Sequence, residues 1–157
     1  MNKKVLYLLI AIVVVAIIIS GVYVFTGENK GNDLDLQQLN TSLSEKAPFN
    51  EMATMDVTTE ELSMLFEINP EDVNSVIGKI PLMNVHASMY VVIEAKEDTV
   101  DTVKEKVEQY AQAQETQWQM YLPEQYELVK QRKQGTIGNY VYLIIAESAT
   151  ELENLIK

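Results

Sequence analysis

Met89–Val107 reads MYVVIEAKEDTVDTVKEKV, and Tyr140–Lys157 reads YVYLIIAESATELENLIK. Each begins with β-branched and aromatic residues, passes through an acidic cap and continues with helical spacing. In the first copy Tyr90, Val91, Val92 and Ile93 are strong strand formers, and the nearly continuous apolar run predicts a strand well inside a sheet. Asp98 then serves as a helix cap, with Asp101 three positions on, and a long helix is expected to about Met120. Val100, Val103, Val107, Tyr110, Ala111, Gln114, Trp118 and Tyr121 make its inner stripe, with Lys104, Lys106, Glu108, Gln112, Glu115 and Gln119 opposite. In the second copy Ser148 and Glu151 form a capping box for a helix that buries Leu152, Leu155 and Ile156.

A partner strand precedes each copy. Val76–Met83 leads through Asn84–Ala87 into the first, and Leu128–Ile137 leads through Gly138-Asn139 into the second. Gly138-Asn139 suits the positive φ angles of a tight hairpin turn. The expected order is hairpin–helix–hairpin–helix. The fold class is α+β: a four-stranded antiparallel sheet of two hairpins, with helices packed on one face.

Upstream, Leu34, Leu36, Leu39 and Leu43 predict a helix over about Asp33–Glu45, ended before Pro48. Phe49–Val57 reads as irregular with a short extended piece. Thr58 and Glu61 make a capping box for a two-turn helix burying Leu62, Leu65 and Phe66, and Asn69-Pro70 opens another short turn.

Further out lies Val5–Phe25, 21 residues without a charge, 19 of them hydrophobic. As a helix it would be about 31 Å long, enough for a hydrocarbon core of about 30 Å. A removable signal would need small residues at its cleavage site. Ser20 and Gly21 have Ile18 and Ile19 at the matching upstream positions, so an uncleaved single-pass signal-anchor is expected. Lys3 and Lys4 before the run place the N-terminus in the cytoplasm by the positive-inside rule. The expected organisation is a cytoplasmic tail at 1–4, a transmembrane helix at 5–25, a tether at 26–32 and an extracytoplasmic domain at 33–157.

After Phe25 there are 10 basic and 23 acidic residues, a net charge of −13. Such a surface repels phosphate backbones and anionic lipid headgroups, which argues against nucleic acid as a partner. There is no cysteine, so disulfides, thiolate metal sites and cysteine nucleophiles are excluded. A cysteine-free exported domain fits a bacterial envelope.

FNEM at Phe49–Met52, EAKEDTVDTVKEKV at Glu94–Val107, YLPEQ at Tyr121–Gln125 and GNYVYLIIAES at Gly138–Ser148 resemble an uncharacterised bacterial family. Its members are exported domains of unknown function, typically from Gram-positive species, and the resemblance spans about residues 36–157. Many similar proteins begin as lipoproteins, whereas this chain lacks the cysteine that lipid attachment needs. The family has no established catalytic residues, so the resemblance implies none here.

The residues themselves offer little chemistry. His86 is the sole histidine and reads as a surface residue of a hairpin connection. Glu60-Glu61, Glu71-Asp72 and Glu97-Asp98 sit where helices begin, where carboxylates oppose the helix dipole. No calcium-loop or G-x-S-x-G pattern occurs, and neither cofactor nor metal is expected. Trp118 and Tyr121 read as core. Lys130, Arg132 and Lys133 form the one basic cluster after the apolar run, read as protection of a strand edge or a docking patch for an acidic polymer. Beyond the bilayer contact of residues 5–25, the expected partner is an envelope protein or peptide bound without catalysis. An envelope hydrolase with an unrecognised site and a structural spacer are the alternatives.

Overall fold

In a strand, successive side chains point to opposite faces, so a run that is apolar at every position needs cover on both sides. The computed structural model, which describes residues 34–157, meets that requirement at strand β3 (Met89–Ala95). Met89, Val91, Ile93 and Ala95 enter one hydrophobic layer. Tyr90 and Val92 enter another on the opposite face. Strand β5 (Tyr140–Ile145) divides the same way, with Val141, Leu143 and Ile145 on the first face and Tyr140, Tyr142 and Ile144 on the second.

The remaining strands are β1 (Thr54–Asp56), β2 (Val73–Pro81) and β4 (Lys133–Ile137). All pairings are antiparallel, in the order β1-β2-β3-β5-β4. The helices are α1 (Leu36–Ser44), α2 (Thr59–Phe66), α3 (Val100–Gln119), α4 (Pro123–Lys130) and α5 (Ala149–Ile156), and a 3-10 turn covers Pro70–Asp72. Helices α2, α3 and α4 cover the first face through Leu62, Phe66, Val103, Val107, Ala111, Trp118 and Val129. Helices α1 and α5 cover the second through Leu39, Leu43, Leu152 and Ile156. Leu34–Lys157 forms one compact unit.

The expected four-stranded sheet with helices on one face is therefore corrected to five strands with helices on both. The one-face reading would have left Tyr90, Val92, Tyr142 and Ile144 in water, and all four are buried. The added strand, β1, is three residues long and pairs with Lys79–Pro81, too short to show an alternation. The expected strand over Leu128–Ile137 is helical in its first part. Pro123 stops α3 but also occupies the first turn of α4, where its missing N–H costs nothing. The expected transmembrane helix Val5–Phe25 lies outside the described residues. Among those described, no helix is long and apolar enough to cross a membrane, so such a helix is no part of the fold seen here.

Local signals explain the element boundaries. The Thr58–Glu61 capping box is formed: Thr58 N–H donates to Glu61 Oε2 at 2.9 Å and Glu60 N–H donates to Thr58 Oγ1 at 3.2 Å. The two expected caps further on do other work. Thr99, not Asp98, precedes α3, and its hydroxyl donates to the Asp72 carbonyl at 2.8 Å. Ser148 donates to the Ala47 carbonyl at 2.7 Å, and Glu151 pairs with Lys46 at 2.8 Å. Both contacts stitch α5 to the segment after α1. The hairpin loop Gly138-Asn139 has positive φ only at Gly138 (58°), the position a type II′ loop reserves for glycine.

The second layer is directly testable. Leu43→Ala should destabilise residues 34–157 by about 2–5 kcal/mol, the cost of emptying a fully buried leucine site. Urea unfolding measures it, and a change below about 0.5 kcal/mol would place α1 outside the core.

Candidate functional site

Leu65, in the last turn of α2, lies at the margin of the face that Leu62 and Phe66 bury. Its side chain is 41% exposed. Across from it the β2–β3 connection carries Leu82 and Met83, 60% and 55% exposed, followed by Val85, also exposed. Between these elements and α3 lies a groove of about 260 Å³. Ala87, Met89 and Trp118, all buried, form its floor, and Tyr110 flanks them. Leu65, Ile80, Pro81, Leu82 and Met83 give it apolar walls, and Asn84, His86, Gln114 and Gln117 supply polar atoms.

Two hydrogen bonds fix this geometry. Trp118 Nε1–H donates to Gln114 Oε1 at 3.1 Å, one helical turn back, so the indole's polar edge is satisfied while its ring faces the groove. Ala87 N–H donates to Gln125 Oε1 at 2.8 Å, which ties the connection to α4. Tyr110 stacks on Phe66 with ring centroids 4.0 Å apart and planes 28° apart. Burial pushes the Tyr110 phenol up to about 12, because the charged phenolate is poorly solvated there. Beyond Tyr110 a smaller hollow of about 150 Å³ continues along α3, and the Lys106–Glu67 ion pair (3.1 Å) lies beside it.

The side chains of Asn84, His86 and Gln117 make no hydrogen bond among the described residues, while Gln114 is occupied by Trp118. The lining contains no carboxylate, lysine or serine beside His86. It therefore offers an apolar bed with neutral donors and acceptors at its rim. A hollow of about 230 Å³ at the start of α1 is walled by Leu34, Asp35, Gln38, Leu39, Ser42 and Leu155.

The family described as Domain of unknown function (DUF4358) matches residues 47–146. The chain belongs to this family. The matched span runs from the turn before β1 through β5, contains the whole groove and leaves out α1 and α5. It bears out the resemblance to an uncharacterised domain family. No curated protein and no solved structure matches the chain.

Within this DUF4358 domain the basic cluster of the sequence does not form one open patch. Lys130 pairs with Glu127 at 2.7 Å and lies 4.6 Å from the Tyr126 ring centroid. Arg132 pairs with Glu115 at 2.9 Å, and Lys133 begins edge strand β4. His86, read from sequence as a surface residue of a hairpin connection, lies half-buried in the β2–β3 connection and lines the groove. Trp118 is core as expected, being 3% exposed, yet it also floors the groove. Tyr121 is exposed, its ring centroid 5.8 Å from that of Trp118. Val5 and Phe25, which bound the expected membrane segment, lie outside the described residues. Among the described residues no group of three His, Cys, Asp or Glu could hold a metal ion. The groove was missed because Leu65, Leu82 and Met83 come from separate elements. Two adjacent apolar residues in a hairpin connection, Leu82-Met83, were the available signal.

Two outcomes follow from these contacts. Gln125→Ala should release the 82–88 connection, raising hydrogen exchange at Ala87 while lowering global stability by about 1 kcal/mol. Unchanged exchange at Ala87 would show that the bond does not hold the wall. The Tyr110 proton gives the second. Folding favours the neutral phenol, so its contribution is fully present below the ordinary tyrosine value near 10 and is lost as pH rises toward 12. Tyr110→Phe should flatten the alkaline fall in stability over that window by on the order of 2 kcal/mol. An unchanged profile in urea unfolding at stepped pH would contradict this.

Proposed function

We propose that the chain is a membrane-tethered, extracytoplasmic binding module of the bacterial cell envelope that holds a protein or peptide partner without catalysing a reaction. The observation that carries this reading is the rim of Leu65, Leu82 and Met83, exposed together around the Trp118 groove. Apolar side chains left in water at one place cost solvation free energy that contact with a partner recovers. The groove's composition supports binding over chemistry, since His86 has neither a carboxylate nor a serine beside it in the lining. A base with neither a serine nucleophile nor a carboxylate to orient it has little to act through. The tether rests on sequence: residues 5–25 carry no charge, and Lys3 and Lys4 precede them.

Fractionation and capture test the two parts. The chain should stay with membranes through an alkaline wash, and protease added to wall-stripped cells should digest the 34–157 domain. Crosslinking followed by affinity capture from native membranes should recover a discrete partner. Leu82→Gln with Met83→Gln should lower that recovery at least about tenfold while leaving urea unfolding within about 0.5 kcal/mol, because both side chains are already exposed. Full protection from protease would refute the location. Undiminished capture by the double variant would refute the groove.

A further inference from the structure

We infer that the groove's partner is a cationic chain segment, with an aliphatic or aromatic side chain as its anchor and lysine or arginine on its flanks. The inference rests on the binding-module reading above and adds the chemistry of the partner.

Size comes first. Sites that engulf a drug-sized ligand or cofactor usually measure about 300–1,000 Å³. At about 260 Å³ and open to solvent on one side, this groove suits one or two inserted side chains better than a whole cofactor. Its floor of Trp118 and Met89 is buried and apolar, which fits an anchor of leucine or phenylalanine type. Around that floor Asn84 and Gln117 present amides that both donate and accept. Those are the two roles that the N–H and C=O of a bound backbone need met.

Charge then selects the flanks. Residues 34–157 contain 9 basic and 21 acidic residues, a net charge of −12. Six of the nine basic side chains are already paired with carboxylates, and those pairs are spread over β1, β2, α3, α4, α5 and the connections beside them. The net field of the domain is therefore negative, while the groove lining holds no charge that could compete with the anchor. A cationic segment is drawn in and loses little solvation at its flanks, which stay at the rim. An acidic segment, an anionic headgroup or a second copy of this chain is repelled by the same field.

Selection on the full chain in zwitterionic nanodiscs tests this. The probe is a phage-displayed random library of peptides about 12 residues long, with empty nanodiscs as the background. Trp118 is the only tryptophan in the chain, so its emission reports the groove directly. Enriched peptides should share a central aliphatic or aromatic residue and carry net positive charge. They should change the intensity of Trp118 emission by contact at the groove floor, and bind the Leu82→Gln, Met83→Gln variant at least about tenfold more weakly. Raising salt from 0.05 to 0.5 M should also weaken them several-fold, as screening predicts. Neutral or acidic winners, cationic winners that bind the variant equally well, or no enrichment at all would overturn the partner class. The same emission change produced by lipid vesicles in place of any peptide would make the groove a lipid contact and overturn it too. If the membrane capture above still depends on Leu82 and Met83, the binding-module reading survives that failure. If capture fails as well, both fall.

Discussion

Everything else in this domain follows from burying β3 and β5 on two faces. Seven consecutive residues of β3 and six of β5 point alternately into separate hydrophobic layers, and all but Glu94 are buried. One layer of helices could satisfy only half of them. A fully buried aliphatic or aromatic side chain contributes about 1.5–3 kcal/mol relative to exposure, so an uncovered second face would forfeit several such terms at once. Helices α1 and α5, although outside the family-matched span, are therefore a structural necessity for this sequence. Antiparallel pairing of β3 with β5 across the middle of the sheet then sets where every connection emerges.

The groove is a consequence of that layering. Helix α3 crosses the first face and ends near the β2–β3 connection, where Trp118 meets Ala87 and Met89. The connection is pulled toward α4 by the Gln125–Ala87 bond. That leaves Leu82 and Met83 outside the closed part of the core. The backbone leading to them is held by β2 pairing with β1 as far as Pro81, and Leu82 N–H donates to the Ala53 carbonyl at 3.0 Å. The apolar rim is thus built into the fold.

Much of the layout was legible in the sequence for physical reasons. Capping at Thr58–Glu61, the Gly138-Asn139 hairpin and the apolar stripe of α3 are local signals, each set by neighbours within four residues. The continuous runs of β3 and β5 were legible too, but they require two covering layers, and reading them as a one-sided sheet was the error. Non-local facts stayed hidden. The three residues of β1 carry no period, and Pro123 signals the end of one helix and the start of the next with equal force. Asp98 reads as a cap but Thr99 holds that position, and Ser148 holds one without capping. The hydroxyls of Thr99 and Ser148 go to the Asp72 and Ala47 carbonyls instead. The candidate site was the least legible part, because its rim is assembled from residues 65, 82 and 83 and its floor from residues 87, 89 and 118.

The central claim is that this groove, and not the opposite face, meets a partner. A photo-crosslinking amino acid placed at Gln117, on the groove rim, and separately at Gln37, on the exposed side of α1, compares the two in living cells. Irradiation should give a discrete higher-mass adduct from position 117 and none from position 37. An adduct from position 37 alone, or from neither position, would contradict the account.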